Sequence, residues 1–222
     1  MIIYKDRKER GANMESQFSR GGEDKKRTVY ILLTNTGSVP TRILKAYTKA
    51  PYNHVSISFS LDLKKIYSFG RKKYNNPLWG GFVVESIDGE IYEYFSETTC
   101  SIYSLEVDRS AYYRMKKVIR EFEKEKDKYV YSFIGLLGVA IKVPVEREYG
   151  YFCSQFVARV LERSGLNFFD KPPGLVTPND FISIKELNHI YSGKLSDYSK
   201  EISLGNYNNF IPINRKAQLT FR

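Results

Sequence analysis

Residues 54–61, His54-Val55-Ser56-Ile57-Ser58-Phe59-Ser60-Leu61, alternate strictly between polar and apolar. A period of two places Val55, Ile57, Phe59 and Leu61 on one face of a strand and His54, Ser56, Ser58 and Ser60 on the other. Such a strand is not stable alone; it needs partners for its backbone and a second layer for its apolar face. Several segments can supply the partners. Val29-Tyr30-Ile31-Leu32-Leu33 is a short apolar run of the kind buried on both faces. Lys65 to Phe69 reads as a strand returning antiparallel through a turn over Leu61–Lys64. Arg71 to Gly81, rich in Asn, Pro and Gly, reads as a loop. Gly81–Ile87 and Glu90–Phe95 read as a hairpin about Asp88-Gly89, and Ile102–Val107 as a further strand.

Helices supply the second layer. Ser38, with Pro40 in the first turn, predicts a helix to about Lys49. From Asp108 or Ser110, Tyr112, Met115, Val118, Ile119 and Phe122 recur at helical spacing. Tyr131 to Ile141 predicts a short apolar helix beside a pocket. Cys153 to Ser164 predicts another, with Val157, Val160, Leu161 and Ser164 on the face of Cys153, and Gly165-Leu166 reads as its left-handed stop. After Lys171-Pro172-Pro173-Gly174, Thr177 opens a last short helix through Leu187. Strands in hairpins with helices to the side make an α+β domain over residues 28–195. Residues 1–27 read as a polar arm, and 196–222 as an irregular C-terminal extension.

Composition narrows the class. The 222 residues are 42% hydrophobic and 27% charged, enough for one globular core. Phe133–Ile141 is far below the ~20 residues that cross a bilayer and contains two glycines, Gly135 and Gly138. The opening Met1-Ile2-Ile3-Tyr4-Lys5 lacks the basic-then-apolar order of a signal peptide, so the cytoplasm is the expected location. The net charge is +10, of which eight Lys/Arg against five Asp/Glu in the first 27 residues contribute +3. Lys64-Lys65, Arg71-Lys72-Lys73 and Lys116-Lys117 are local clusters. No nucleic-acid motif accompanies them, so no specific nucleic acid is expected, while peripheral contact with an acidic membrane stays open. Two cysteines and two histidines exclude a disulfide scaffold and a zinc ribbon, and no metal or organic cofactor is expected.

Cys153 falls in the first turn of its helix, where unpaired N–H groups favour a thiolate and can hold an oxyanion. The bland alternative is a small buried core residue. His54, on the Ser-rich face of its strand, becomes a general base if the Cys153 helix lies against it; otherwise it is a surface histidine. Cys100 has no helix start and reads as structural, and His189 reads as surface.

Asn53-His54-Val55-Ser56-Ile57, then Ile66-Tyr67-Ser68-Phe69-Gly70-Arg71, then Tyr151-Phe152-Cys153-Ser154-Gln155-Phe156-Val157 resembles the circularly permuted papain-like cysteine hydrolases of the NlpC-type superfamily. The likeness covers roughly Thr28 to Ile190. In these permuted proteins the His strand comes first and the Cys helix closes the domain. The resemblance implies a small antiparallel sheet with the nucleophile helix packed across it. It implies Cys153 as nucleophile, His54 as base, and an acyl-enzyme. A third polar residue on the next strand normally orients the His; the matching position is Ser68, a departure from the His, Glu, Asn or Gln usual there, with Glu85 as the fallback. Arg71 is a candidate clamp for a substrate carboxylate, against an ordinary surface arginine. Tyr52 and Tyr151 are candidates for the pocket wall.

The expected function is a cysteine amidase or peptidase acting on a small peptide or cell-wall-derived fragment. The permuted relatives also suggest a lipid-directed acyltransferase or thioesterase, for which Phe133–Ile141 and the basic surface would suit an acyl chain. A third reading is an inactive lipid- or peptide-binding module on the same fold. The sequence leaves the scissile bond, the acyl acceptor and the oligomeric state open.

Overall fold

A computed structural model describes residues 25–36 and 51–210 of the chain. Six antiparallel strands form one sheet: β1 (Arg27–Asn35), β2 (His54–Ser58), β3 (Ile66–Lys73), β4 (Asn76–Glu85), β5 (Thr99–Val107) and β8 (Leu187–Lys194). Their order across the sheet is β4-β3-β2-β1-β5-β8. A two-stranded parallel pair, β6 (Val130–Tyr131) and β7 (Gly150–Tyr151), stands apart. The helices are α1 (Glu90–Tyr94), α2 (Arg109–Lys124), α3 (Phe133–Ala140), α4 (Cys153–Arg163) and α5 (Leu195–Ser203). The architecture is α+β.

The alternation of β2 decides which residues meet which layer. Val55 and Ile57 join Val29, Ile31 and Leu33 of β1 on the face covered by α2 and α4. Helix α2 buries Ala111, Met115, Val118, Ile119 and Phe122, the stripe its period announces. Helix α4 buries Phe156, Val157, Val160 and Leu161. Phe69 lies at the middle of this layer, with the rings of Phe82, Phe122, Tyr129, Tyr151 and Phe156 within 6.0 Å of its own. The edge-to-face contacts with Phe82, Phe122 and Tyr129 add to area burial, which is worth about 1.5–3 kcal/mol for each such side chain. The opposite face carries Leu32, Ile66, Cys100 and Ile102, covered by Tyr92 of α1 and by Leu195, Tyr198 and Ile202 of α5.

Helix α4 ends as its sequence announces. Gly165 takes φ +81°, and Leu166 donates its N–H to Leu161 O at 3.0 Å. Arg114 of α2 donates two hydrogen bonds, 3.0 and 2.8 Å, to the carbonyl of Ser164. That fork ties the two helices and places a cation at the negative end of α4.

Four expectations differ from the structure. Glu90–Tyr94 is a helix, with Gly89 at its N-cap and Glu90 and Glu93 in its first turn, so Asp88-Gly89 is no hairpin. The expected loop at Arg71–Gly81 is largely strand, because β3 runs to Lys73 and β4 starts at Asn76. The last helix expected from Thr177 is a short 3-10 turn, Pro178–Ser183, followed by the edge strand β8. Beyond Ser196, where irregular chain was expected, α5 continues to Ser203. The helix expected over Ser38–Lys49, the arm to residue 24 and the chain after residue 210 lie outside the described residues.

Candidate functional site

Strands β2 and β3 pair only at Ile57/Tyr67 and Ser58/Ile66. Beyond Ile57 the ladder opens, and the Val55 peptide groups that would bond β3 take other partners. The carbonyl of Val55 accepts the Ser68 hydroxyl at 2.8 Å. The N–H of Val55 faces the sulfur of Cys153. The thiol therefore lies at the peptide that joins His54 to Val55, in the opening between the two strands.

Cys153 reaches that opening because it is the first residue of α4, which packs on β2 and β3. Phe152, at the N-cap, has extended backbone and no side chain to cap the helix. The N–H groups of Cys153 and Ser154 are left to turn toward the sulfur, and the Tyr131 hydroxyl joins them. Ser154 fixes the turn by donating its hydroxyl to Val176 O at 2.6 Å. The thiol itself is 2% exposed, and burial pushes it above the ordinary range while these donors pull it back. At neutral pH Cys153 is a protonated thiol inside a ring of donors, each of which gains strength if the sulfur or a neighbouring oxygen becomes negative.

His54 leaves the same peptide in the other direction: α4 covers the Val55/Ile57 face of β2, not the Ser-rich face that carries His54, so the helix does not lie against the imidazole as the sequence reading requires. Continuing the Ile57/Tyr67 register places Gly70 opposite His54, and a methyl group built on Gly70 would lie 3.6 Å from His54 Cε1. Burial, then the nearby Arg71 guanidinium, presses the imidazole down to about 4. The ring keeps some solvent contact; it is neutral at pH 7, and both burial and Arg71 oppose its taking a proton. Neither side chain hydrogen-bonds the other in this arrangement.

The third expected member is displaced by the register. Ser68 lies opposite Ser56, two residues from the position facing His54. Ser68 is fully buried and donates to the Val55 carbonyl, so it holds the peptide beside the thiol rather than the imidazole. Glu85 pairs across β3 with Ile66. Its carboxyl is pushed up to about 7 by burial, against the pull of Arg71. It steadies Arg71 and not His54. Arg71 is no bare surface cation: its guanidinium stands 4.9 Å over the Phe95 ring and donates to Tyr74 O at 3.4 Å. Tyr52 turns away and donates to Cys100 O at 3.4 Å, while Tyr151 packs on Phe69. His189 is exposed on β8 and bonds Ser192 at 2.7 Å.

Two residues were not singled out from the sequence. Tyr131 comes to Cys153 through the pairing of β6 with β7, a two-residue contact too short to leave a pattern. Gln155 is 1% exposed with its side-chain oxygen unpaired; its place in the first turn beside the cysteine was the available signal. A cleft of about 490 Å³ opens at the β4 edge, lined among others by Arg71, Lys72, Glu85, Glu90, Lys126 and Asp127. Arg71 links it to the site, since its charge also bears on His54 and Tyr131. In comparisons with known proteins, the chain matches no family model, no curated protein and no solved structure.

Proposed function

We propose that this domain is a permuted papain-like cysteine hydrolase that cleaves an amide bond in a small peptide, Cys153 acting as nucleophile and His54 as base. The observation that carries the reading is the setting of the Cys153 sulfur. It lies at the uncapped start of α4, against the N–H groups of Val55 and Ser154 and the Tyr131 hydroxyl, at the peptide bearing His54. The cleft of mixed charge at the β4 edge, which Arg71 lines and Cys153 and His54 do not, suits a charged end of a short peptide better than an acyl chain.

The resting pair is neutral thiol and neutral imidazole. His54 removes the proton from Sγ as the sulfur bonds the scissile carbonyl carbon. The carbonyl oxygen becomes an oxyanion, held by N–H groups at the start of α4. The oxyanion collapses, the C–N bond breaks, and the leaving nitrogen takes the proton from His54. Water, deprotonated by the same imidazole, then releases the acyl group and restores the thiol. Hydrogen bonds of this kind are often long without substrate and tighten on binding, so a rotation of the imidazole toward the opening is part of the proposal.

The test is acyl-enzyme trapping. The full chain is mixed with a p-nitrophenyl acyl ester, quenched over time, digested and mapped by mass spectrometry. The expected result is acyl label on Cys153 that rises and then decays, with slow formation and decay in His54→Ala. Label confined to Cys100 or lysines, or unchanged kinetics on Cys153 in His54→Ala, refutes the mechanism.

A further inference from the structure

Helix α3 is built inside out. Its buried positions are two glycines, Gly135 and Gly138. A methyl group on Gly138 would lie 2.5 Å from Val143 O, and one on Gly135 would lie 3.0 Å from the Phe152 ring. The helix is therefore pressed onto the body by its smallest residues. Its large apolar residues point the other way: Ile134 is 51% exposed, Leu137 67% and Ile141 70%. Those three, at i, i+3 and i+7, form one outward stripe, and Phe133 and Val143 are exposed beside it. A helix that needs only to pack would have the reverse arrangement, and solubility alone would put charge on the outer face. From Tyr129 through Ile141 the chain carries no charged residue.

The border of this patch has the chemistry of a membrane interface. Lys142 ends the stripe, exposed, in a left-handed conformation at φ 57°. Nearby, a methyl group on Gly80 would lie 2.8 Å from Tyr131 Cβ, so the backbone of β4 passes beside the root of α3. Trp79 is also exposed, and the Lys73 ammonium stands 5.2 Å over its ring. An exposed, uncharged apolar stripe ended by a lysine is a pattern that inserts at the headgroup level. The chain's net charge of +10 favours an anionic surface over a neutral one.

We propose that the outward face of α3, with Lys142 at its end, docks on an anionic lipid bilayer. The helix is eight residues long, so it lies in the interface and does not cross it. Docking rests on this surface alone and not on the chemistry of Cys153, although the hydroxyl of Tyr131, one residue before the N-cap of α3, faces that sulfur.

Vesicle flotation of the full chain tests this, with phosphatidylcholine vesicles and with vesicles in which about a third of the lipid is phosphatidylglycerol. The wild type is expected to float with the anionic vesicles and much less with the neutral ones, and to be released as salt is raised. The double variant Ile134→Asp/Leu137→Asp is expected to bind at least tenfold more weakly at an unchanged melting temperature. Lys142→Glu, which leaves the apolar stripe whole, is expected to weaken binding severalfold. Cys153→Ala is expected to float like the wild type, which separates this result from the fate of the hydrolase reading. Failure of the wild type to float with either vesicle, or equal flotation of the double variant, overturns the proposal. A wild-type dimer that the double variant converts to monomer, with no flotation by either, assigns the face to self-association and also overturns it.

Discussion

Cys153 and Cys100 are both unbridged thiols in the core, on opposite faces of one sheet. Burial raises both, Cys100 to about 12. Depth therefore does not distinguish them; donors do. Cys100 lies within β5, where the ladder with β1 and β8 uses the backbone on both sides, and only the Gly193 N–H favours its thiolate. Cys153 stands at the start of a helix and against an opened ladder, so several donors are left over for it. A buried sulfur becomes chemically useful where regular secondary structure stops.

The largest effect that separates them concerns acylation. Cys153→Ala is expected to abolish acyl-enzyme formation, and Cys100→Ala to change it less than twofold. His54→Ala is expected to slow it by about 10²–10⁴, the usual range for loss of a general base. Quantitative mass spectrometry of the trapped label checks all three.

The next effect is on stability against pH. His54 is pressed down from 6.5 to about 4, so the unfolded chain binds the extra proton first as pH falls, and this stabilisation is lost between about 6.5 and 4. Glu85 is raised from 4.5 to about 7, so the folded chain holds its proton longer, and that stabilisation is lost as pH rises from about 4.5 to 7. The two slopes oppose each other, each worth at most about 3 kcal/mol. The wild type is expected to be nearly flat between pH 4.5 and 6.5. Glu85→Gln should then gain stability with rising pH across that window, and His54→Ala should lose it. Urea unfolding at several pH values reads the slopes, and parallel profiles for the two variants would contradict the assignment.

The smallest effects test the supports of each cysteine. Ser68→Ala removes the bond to the Val55 carbonyl and is expected to cost about 1–2 kcal/mol, since it leaves a buried acceptor unmet. It should also slow iodoacetamide labelling of Cys153 relative to Cys100. Tyr52→Phe removes the long bond to Cys100 O and is expected to cost less than about 1 kcal/mol, with Cys153 labelling unchanged.

Much of the frame is legible in the sequence where periodicity and burial agree. β1, β2, α2 and α4 are such cases, and Gly165 marks the end of α4. Glu90–Tyr94 is misread because five residues with alternating apolar character suit either a strand or a helix that buries Tyr92 alone. β8 is hidden because an edge strand that buries little carries no alternation. α5 does carry a helical stripe, Leu195, Tyr198 and Ile202, sparse among polar residues. At the site, Cys153 and His54 are visible through local order, one at a helix start and one on a strand. The role of Ser68 depends on a register that shifts by two residues with the turn, and no local pattern fixes it. Tyr131 depends on a tertiary pairing and leaves no trace in its neighbours.

The position of α4 late in the chain sets a timetable. A ribosome adding about 5–20 residues per second needs roughly 5–20 s to pass from His54 to Cys153. By the end of that interval β1 to β5 and α2 are made, and the aromatic face around Phe69 has the cover of Phe122 but not yet that of α4. The nascent chain is then sticky and chemically silent at once. A break in translation before Phe152 would release a product with the α4 side of its apolar sheet open and no nucleophile, a natural substrate for chaperones and proteases.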